Sequence, residues 1–293
     1  MCASEAKEAK QEEEEERHPL PAGEGNKPVL ILGAGWVGSR LARSLEADDV
    51  PVIVTNRPGT DLHAKPPYFR PVELKCPPFT RVDFDIAEPS TWEALPEPES
   101  LAAVVVTFPC LEGVAEPFWD QYLGKVSSVL CFSTTSVYQV DVPGQDVDEQ
   151  TPLKPTPRCL GEEYMRERGA TCLVISGIFG DQRTPRAICT CLSTYTSAGG
   201  ALNGRKRVNM VHVDDIVKAS RALLAKPLPT ERINVAGHHF FLSELVQHCK
   251  HPPIPDGPDT DLASKCVCSE RLLTEVIPGH EFVQPITQAA VKA

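Results

Sequence analysis

The sequence predicts an α/β protein with a Rossmann-like, doubly wound parallel sheet and a smaller C-terminal substrate lobe. Three observations carry this. Val29-Leu-Ile-Leu runs into Gly33-Ala-Gly35-Trp-Val-Gly38 and then into a segment with Val37, Leu41 and Leu45 at helical spacing. That order is strand, glycine turn, helix, the context a G-x-G-x-x-G needs to bind a dinucleotide. Further short, nearly all-apolar runs alternate with helical ones as far as Ile175, the pattern of a parallel sheet buried on both faces.

In the glycine turn, Gly33 permits the sharp bend and Gly35 lets the backbone approach a pyrophosphate. Gly38 lets the helix pack close to its strand, with the phosphates on the helix N-terminus. Ala34, Trp36 and Val37 complete the candidate cofactor-binding stretch. A glycine turn in some other α/β unit fits the same spacing, so the rest of the chain has to decide.

The remaining elements follow in order. Strands are expected at 50–55, 81–85, 101–107, 129–133 and 172–175. Helices are expected at 89–95, with Ser90 as N-cap, through Phe118, Tyr122 and Val126, and at about 160–168. Beyond Gly180 the regularity falls. Helical pieces at 187–196, 214–224 and 242–249 alternate with short strands at 207–211 and 232–235, and a Pro/Asp-rich loop spans 252–261. The expected organisation is an acidic disordered tail, 1–27, a dinucleotide-binding domain, 28–180, and a substrate-binding lobe, 181–293, interleaved with the sheet.

A chain of 293 residues can bury a full core. Its formal net charge is −11, of which residues 1–17 hold −4, seven Glu against Lys7, Lys10 and Arg17. The body is acidic without a basic stripe, which argues against nucleic acid as the main partner. No apolar run reaches the ~18 residues of a membrane span, and 1–17 lacks the apolar core of a secretory signal. Cysteines such as Cys110, Cys131 and Cys172 lie in apolar runs, as reduced thiols of a cytoplasmic protein do.

The end of the second strand separates the two nicotinamide cofactors. An acid there bonds the adenosine ribose, whereas an arginine accommodates a 2′-phosphate. Arg57 lies nineteen positions after Gly38, beside Asn56, and no acid follows before Asp61. Arg40 adds a second positive charge nearby. NADP(H) is therefore favoured over NAD(H), although the Pro-Gly pair after Arg57 also suits a solvated loop residue.

At the fifth strand the chain reads Phe132-Ser-Thr-Thr-Ser-Val-Tyr138, and later Val208-Asn-Met-Val-His212-Val-Asp-Asp215. With Gly33 to Gly38, these segments resemble the extended and atypical short-chain dehydrogenase/reductases, a family of NAD(P)-dependent epimerases, dehydratases and reductases. Ser176-Gly177-Ile-Phe-Gly180 and Ile233-Asn-Val-Ala-Gly237 resemble further signatures of that family, and the likeness covers about residues 28–292. The glycine spacing is that of the atypical members.

The resemblance implies roles at matching positions. Thr134 matches the active-site Ser/Thr that bonds the substrate oxygen, and Ser133 is its structural neighbour. Asp85 and Ile86 match a pair that contacts adenine. Thr107, Phe108 and Pro109 end the fourth strand beside the nicotinamide ribose, and Gly177 follows the sixth. Family enzymes move a proton through a Tyr-x-x-x-Lys pair on the helix after strand five. Here Lys154 or Pro155 falls at the Tyr position and Arg158 or Cys159 at the Lys position. Tyr164 and Arg168 form a Tyr-x-x-x-Arg, but too late in the helix.

With that pair missing, Tyr138 is the nearest phenol to act as the acid. Arg158 is a candidate for holding a ribose or a substrate carboxylate, since its fixed cation cannot donate a proton. A satisfied strand-end hydroxyl and a packed aromatic explain Thr134 and Tyr138 equally well. His212, ahead of Asp214 and Asp215, reads either as a substrate-side acid/base or as part of a helix-capping segment with Asp214 as N-cap. His248, Cys249, His251, Cys266 and Cys268 lack zinc spacing, and no metal is expected. The reading is an NADP(H)-dependent oxidoreductase or epimerase acting on a small polar substrate. The alternative is an NAD(P)-binding sensor or scaffold without catalysis. A homodimer stays open.

Overall fold

Strand β1 (Val29–Leu32) is buried along its whole length because it lies in the middle of a sheet. It pairs in parallel with β2 (Val52–Asn56) on one edge and β4 (Ala103–Val106) on the other. β3 (Thr80–Asp83) extends the sheet beyond β2. β5 (Val129–Thr134), β7 (Thr171–Ile175) and β10 (Arg232–Val235) extend it beyond β4. The order of this seven-stranded parallel sheet is β10-β7-β5-β4-β1-β2-β3. The computed structural model describes residues 27–59, 79–180, 203–247 and 253–283. The tail, except Lys27, the helix at 187–196, the end of the helix at 242–249, Asp61 and residues from 284 on lie outside them.

Alternation within β1 explains why it is apolar throughout. Val29 and Ile31 face a core with Leu41 and Leu45 of helix α1 (Trp36–Glu46) and Ile216 and Leu223 of α4 (Val213–Ala225). Leu30 and Leu32 face a second core with Phe118 of α2 (Ala115–Gln121) and Met165 of α3 (Pro157–Glu167). Phe118 stacks on Tyr122 and meets Trp92 edge-on. Truncating such a buried aromatic costs about 3–5 kcal/mol.

Two small sheets cover the strand ends. β8 (Gly177–Phe179) pairs with β9 (Arg207–His212), which pairs antiparallel with β11 (His238–Phe241). β11 leads into α5 (Leu242–Gln247). β6 (Gln145–Val147) pairs with β12 (Lys265–Val267).

The structure corrects several element boundaries. α3 begins at Pro157, not Leu160, because the Thr156 hydroxyl accepts from the Cys159 N–H at 3.3 Å. Pro89–Ala94 is a 3-10 helix that Ser90 does not cap. There the Thr91 hydroxyl bonds Asp85 and Glu88 instead. α2 stops at Gln121, so Val126 lies beyond it. Asp214 is not the N-cap of α4. His212 is, its Nδ1 accepting from the Asp214 N–H at 3.2 Å.

Candidate active site

The turn between β1 and α1 is held by three hydroxyls. The Gly33 N–H donates to Thr55 Oγ1 at 3.0 Å, and the Ala34 N–H donates to the Thr55 carbonyl at 2.9 Å. Thr107 Oγ1 lies 2.8 Å from the Gly33 carbonyl, and Ser39 Oγ donates to the Ala34 carbonyl at 2.8 Å. Gly33 has φ +97°, which favours glycine. At Gly38 a Cβ would collide with the Gly33 carbonyl, whereas at Gly35 a Cβ would meet nothing within 4 Å. Gly38 is thus required by packing, and Gly35 leaves open space over the start of α1. That helix has no side-chain cap and no acid in its first turn. The residues present fit a dinucleotide pyrophosphate.

Thr55 was invisible as a site residue in the sequence. A hydroxyl in a buried strand was the signal that could have found it.

From this turn a cleft of about 650 Å³ runs across the carboxyl ends of β1, β4, β5 and β7, where an open α/β sheet takes its ligands. Gly35, Trp36, Val37 and Gly38 line one end, and Thr107 and Pro109 follow. Ser133, Thr134, Arg158 and Gly177 line the rest, together with Ser176 and Lys265. Gly33, Ala34, Phe108, Tyr138 and His212 are not in its wall. Asn56, the last residue of β2, Arg57 after it, and Asp85 and Ile86 beyond β3 also lie outside the cleft. There Arg57, with a side chain 77 % exposed, pairs with Asp85 at 3.5 Å. Arg40 instead reaches Asp214 at 3.5 Å and the face of Trp36.

Beneath Thr134 lies a charged relay. The buried Ser133 hydroxyl donates to Glu162 at 2.5 Å, and Arg158 Nε donates to the other Glu162 oxygen at 2.6 Å. Arg158 also donates to the Phe132 carbonyl at 3.3 Å. Burial pushes the Glu162 carboxyl pKa up, against the pull of Arg158. The Thr134 hydroxyl oxygen accepts from the Ser136 N–H and the Ser136 hydroxyl, both at 3.4 Å, long contacts that leave its own O–H available to the cleft.

Tyr138, expected at the cleft as a proton donor, lies away from it. It is fully buried in a separate core with Val137, Val140 and Cys159. Its hydroxyl donates to Asn234 Oδ1 at 2.5 Å, and burial raises its pKa above the ordinary value. His212 is likewise occupied, capping α4 and meeting Phe179 edge-on. Tyr164 and Arg168 stack on each other at 3.5 Å, and the Tyr164 hydroxyl bonds Asp120. Among the described residues, no group of three His, Cys, Asp or Glu is placed to hold a metal, and His248, Cys249 and His251 lie outside them. No helix of the described residues is long and apolar enough to cross a membrane.

Lys265, like Ser176, is a cleft residue absent from the site expected from the sequence. It opens β12, which pairs in register with β6, Lys265 opposite Gln145. Asn209 of β9 fixes this strand, donating to the Lys265 carbonyl and accepting from the Val267 N–H, both at 2.9 Å. A lysine opening a short apolar run was the only local cue.

No protein-family model and no curated protein matches the sequence. Solved structures do match the fold. A functionally unknown conserved protein from Silicibacter pomeroyi is 20 % identical, with a TM-score of 0.66 over 91 % of this chain and 97 % of that one. dTDP-glucose 4,6-dehydratase from Bacillus anthracis, in complex with NAD, is 17 % identical, with a TM-score of 0.64 over 91 % and 96 %. A short-chain dehydrogenase/reductase superfamily protein from Agrobacterium tumefaciens, with bound NAD, is 15 % identical, with a TM-score of 0.63 over 90 % and 96 %. Over about nine-tenths of its length, the chain shares the fold of these three solved structures, two of which hold NAD.

Proposed function

We propose that this protein is an NADP(H)-binding oxidoreductase or epimerase that acts on a small polar substrate. The observation that carries the reading is the continuity of one cleft. The open glycine turn at Gly35 and the Thr134 hydroxyl line the same space. NAD in the dehydratase and the Agrobacterium protein supports a nicotinamide dinucleotide here as well. The phosphorylated form is preferred because a cation, Arg57, rather than an acid follows β2.

When bound, the nicotinamide group supplies or accepts a hydride. The chain's own residues do the rest. Thr134 presents a hydroxyl to the substrate oxygen. Ser133, Glu162 and Arg158 hold the end of β5 rigid beneath it, the support a reacting geometry needs. Thr107 locks the glycine turn against the end of β4.

A second reading is a dinucleotide-binding sensor without turnover. The burial of Tyr138 against Asn234 favours it, since no phenol lines the cleft among the described residues. NADPH fluorescence and thermal shift test binding. NADPH consumption across aldehydes, ketones and nucleotide sugars then tests turnover. Binding with turnover on any of these supports the enzyme, binding without turnover on all of them leaves the sensor, and absence of binding removes both.

A further inference from the structure

Among the described residues lining the cleft are two cations, Arg158 and Lys265, and no acid. The cations are not equivalent. Arg158 is bound to Glu162 and to the Phe132 carbonyl. Lys265 is 5 % exposed, yet among the described residues its ammonium makes one long hydrogen bond, 3.4 Å to the Ala263 carbonyl. No described carboxylate pairs with it. Asp261, the acid that acts on it, is held by Lys206 at 2.6 Å.

An unpaired buried ammonium costs several kcal/mol unless something compensates it. Burial, together with the charges of Lys154 and Lys206, pulls the Lys265 pKa down to about 8. The same cleft wall includes Ser176, 7 % exposed, whose hydroxyl is buried without a hydrogen-bond partner among the described residues. Native structures rarely leave such a group unsatisfied. A donor-rich amine and an idle hydroxyl on one cleft are complementary to the same ligand group.

We propose that Lys265 and Ser176 form the substrate subsite for an oxyanion, a carboxylate or phosphate ester carried by the small molecule the cleft accepts. The proposal rests on the reading of this cleft as the substrate site. It narrows "small polar substrate" to an anionic one. Lys265 supplies the charge, and Ser176 donates the hydrogen bond that its own fold leaves unused. Arg158, already neutralised by Glu162, contributes less.

The test uses the full chain and two probes, oxalate and inorganic phosphate, with oxamide as the neutral counterpart of oxalate. Binding is read by thermal shift and calorimetry. Each titration is repeated with saturating NADPH, which occupies the glycine turn. NADPH binding itself is followed by energy transfer from tryptophan. The expected result is that oxalate or phosphate binds in the presence of NADPH and oxamide does not. Lys265→Gln should weaken that binding at least about tenfold, roughly 1.4 kcal/mol, while Lys265→Arg stays within a few-fold and Ser176→Ala falls between. Oxalate and phosphate bound to Lys265→Gln as to the wild type would overturn the proposal. Failure of both anions to bind while NADPH binds would overturn it too, leaving the oxidoreductase reading intact. Failure of NADPH as well removes both. Circular dichroism of each variant, with Lys265→Arg as the charge-preserving partner, separates lost binding from lost fold.

Discussion

The hydroxyl of Tyr138 and the side-chain carbonyl of Asn234 meet at 2.5 Å, joining residues 96 positions apart. Asn234 also donates to the Cys268 carbonyl, and its N–H donates to Glu149. This buried polar knot ties β10 and the segment after β12 to the turn after β5. It also holds the Tyr138 phenol, four residues from Thr134, buried, bonded and with a raised pKa, away from the cleft wall.

Tyr138→Phe should therefore destabilise without disabling. Leaving Asn234 Oδ1 buried and unpaired costs about 1–3 kcal/mol, which lowers the melting temperature by about 2–4 °C for each kcal/mol in a chain of this size. NADPH affinity and any turnover should stay within about twofold of wild type. A hundredfold loss of turnover at unchanged stability would restore Tyr138 as the acid.

The two helix-start glycines should separate binding from folding. At Gly35 an added Cβ meets open space, so Gly35→Ala should shift stability by no more than about 0.5 kcal/mol. It should still weaken NADPH at least about tenfold, because the methyl occupies the phosphate's place. At Gly38 the Cβ runs into the Gly33 carbonyl, and Gly38→Ala should cost about 1–3 kcal/mol or more as well as binding. Thermal unfolding and NADPH titration of both variants check the contrast.

The pair of exposed Arg57 and half-buried Asp85 should set cofactor preference. Arg57→Asp removes the cation and places an acid where a ribose-binding one is expected, so the NADPH to NADH affinity ratio should drop at least about tenfold. Asp85→Asn releases Arg57 and should move the ratio the other way. An unchanged ratio in Arg57→Asp would remove the preference for NADP(H).

Lys265 should make stability depend on alkaline pH. Its pKa of about 8 lies below the ordinary 10.5, so between those values the unfolded chain binds more protons than the native one. The stability contribution of this group therefore rises with pH across that window, and its full cost applies below pH 8. Lys265→Met should be more stable than wild type at pH 7, by up to roughly 3 kcal/mol. The advantage should fade as pH approaches 10.5. Urea unfolding at neutral pH and near pH 10 measures it, and a variant less stable than wild type at neutral pH contradicts the assignment. A residue whose removal stabilises the fold is one kept for its site.

The sequence by itself determined the sheet, the glycine turn and half of the cleft wall. Strands buried on both faces must be apolar nearly throughout, as β1 and β4 are along their whole length and β7 is after Thr171. A turn that must approach a phosphate must carry glycines at fixed spacing. Thr134 and Arg158 were legible because they sit a few residues from strand and helix signals, within the reach of local periodicity. Only the tertiary structure decided which way Tyr138 points, what His212 caps and where Lys265 lies. The Thr135–Val137 turn swings Tyr138 into a core completed by Ala236 and Val267. The pairing of β12 with β6 brings Lys265 to Ser176 and Thr134 in the cleft wall. Neither event has a local cause, because a cleft built on strand ends gathers its residues by the order of strands in space, and that order is set by the packing of the whole sheet.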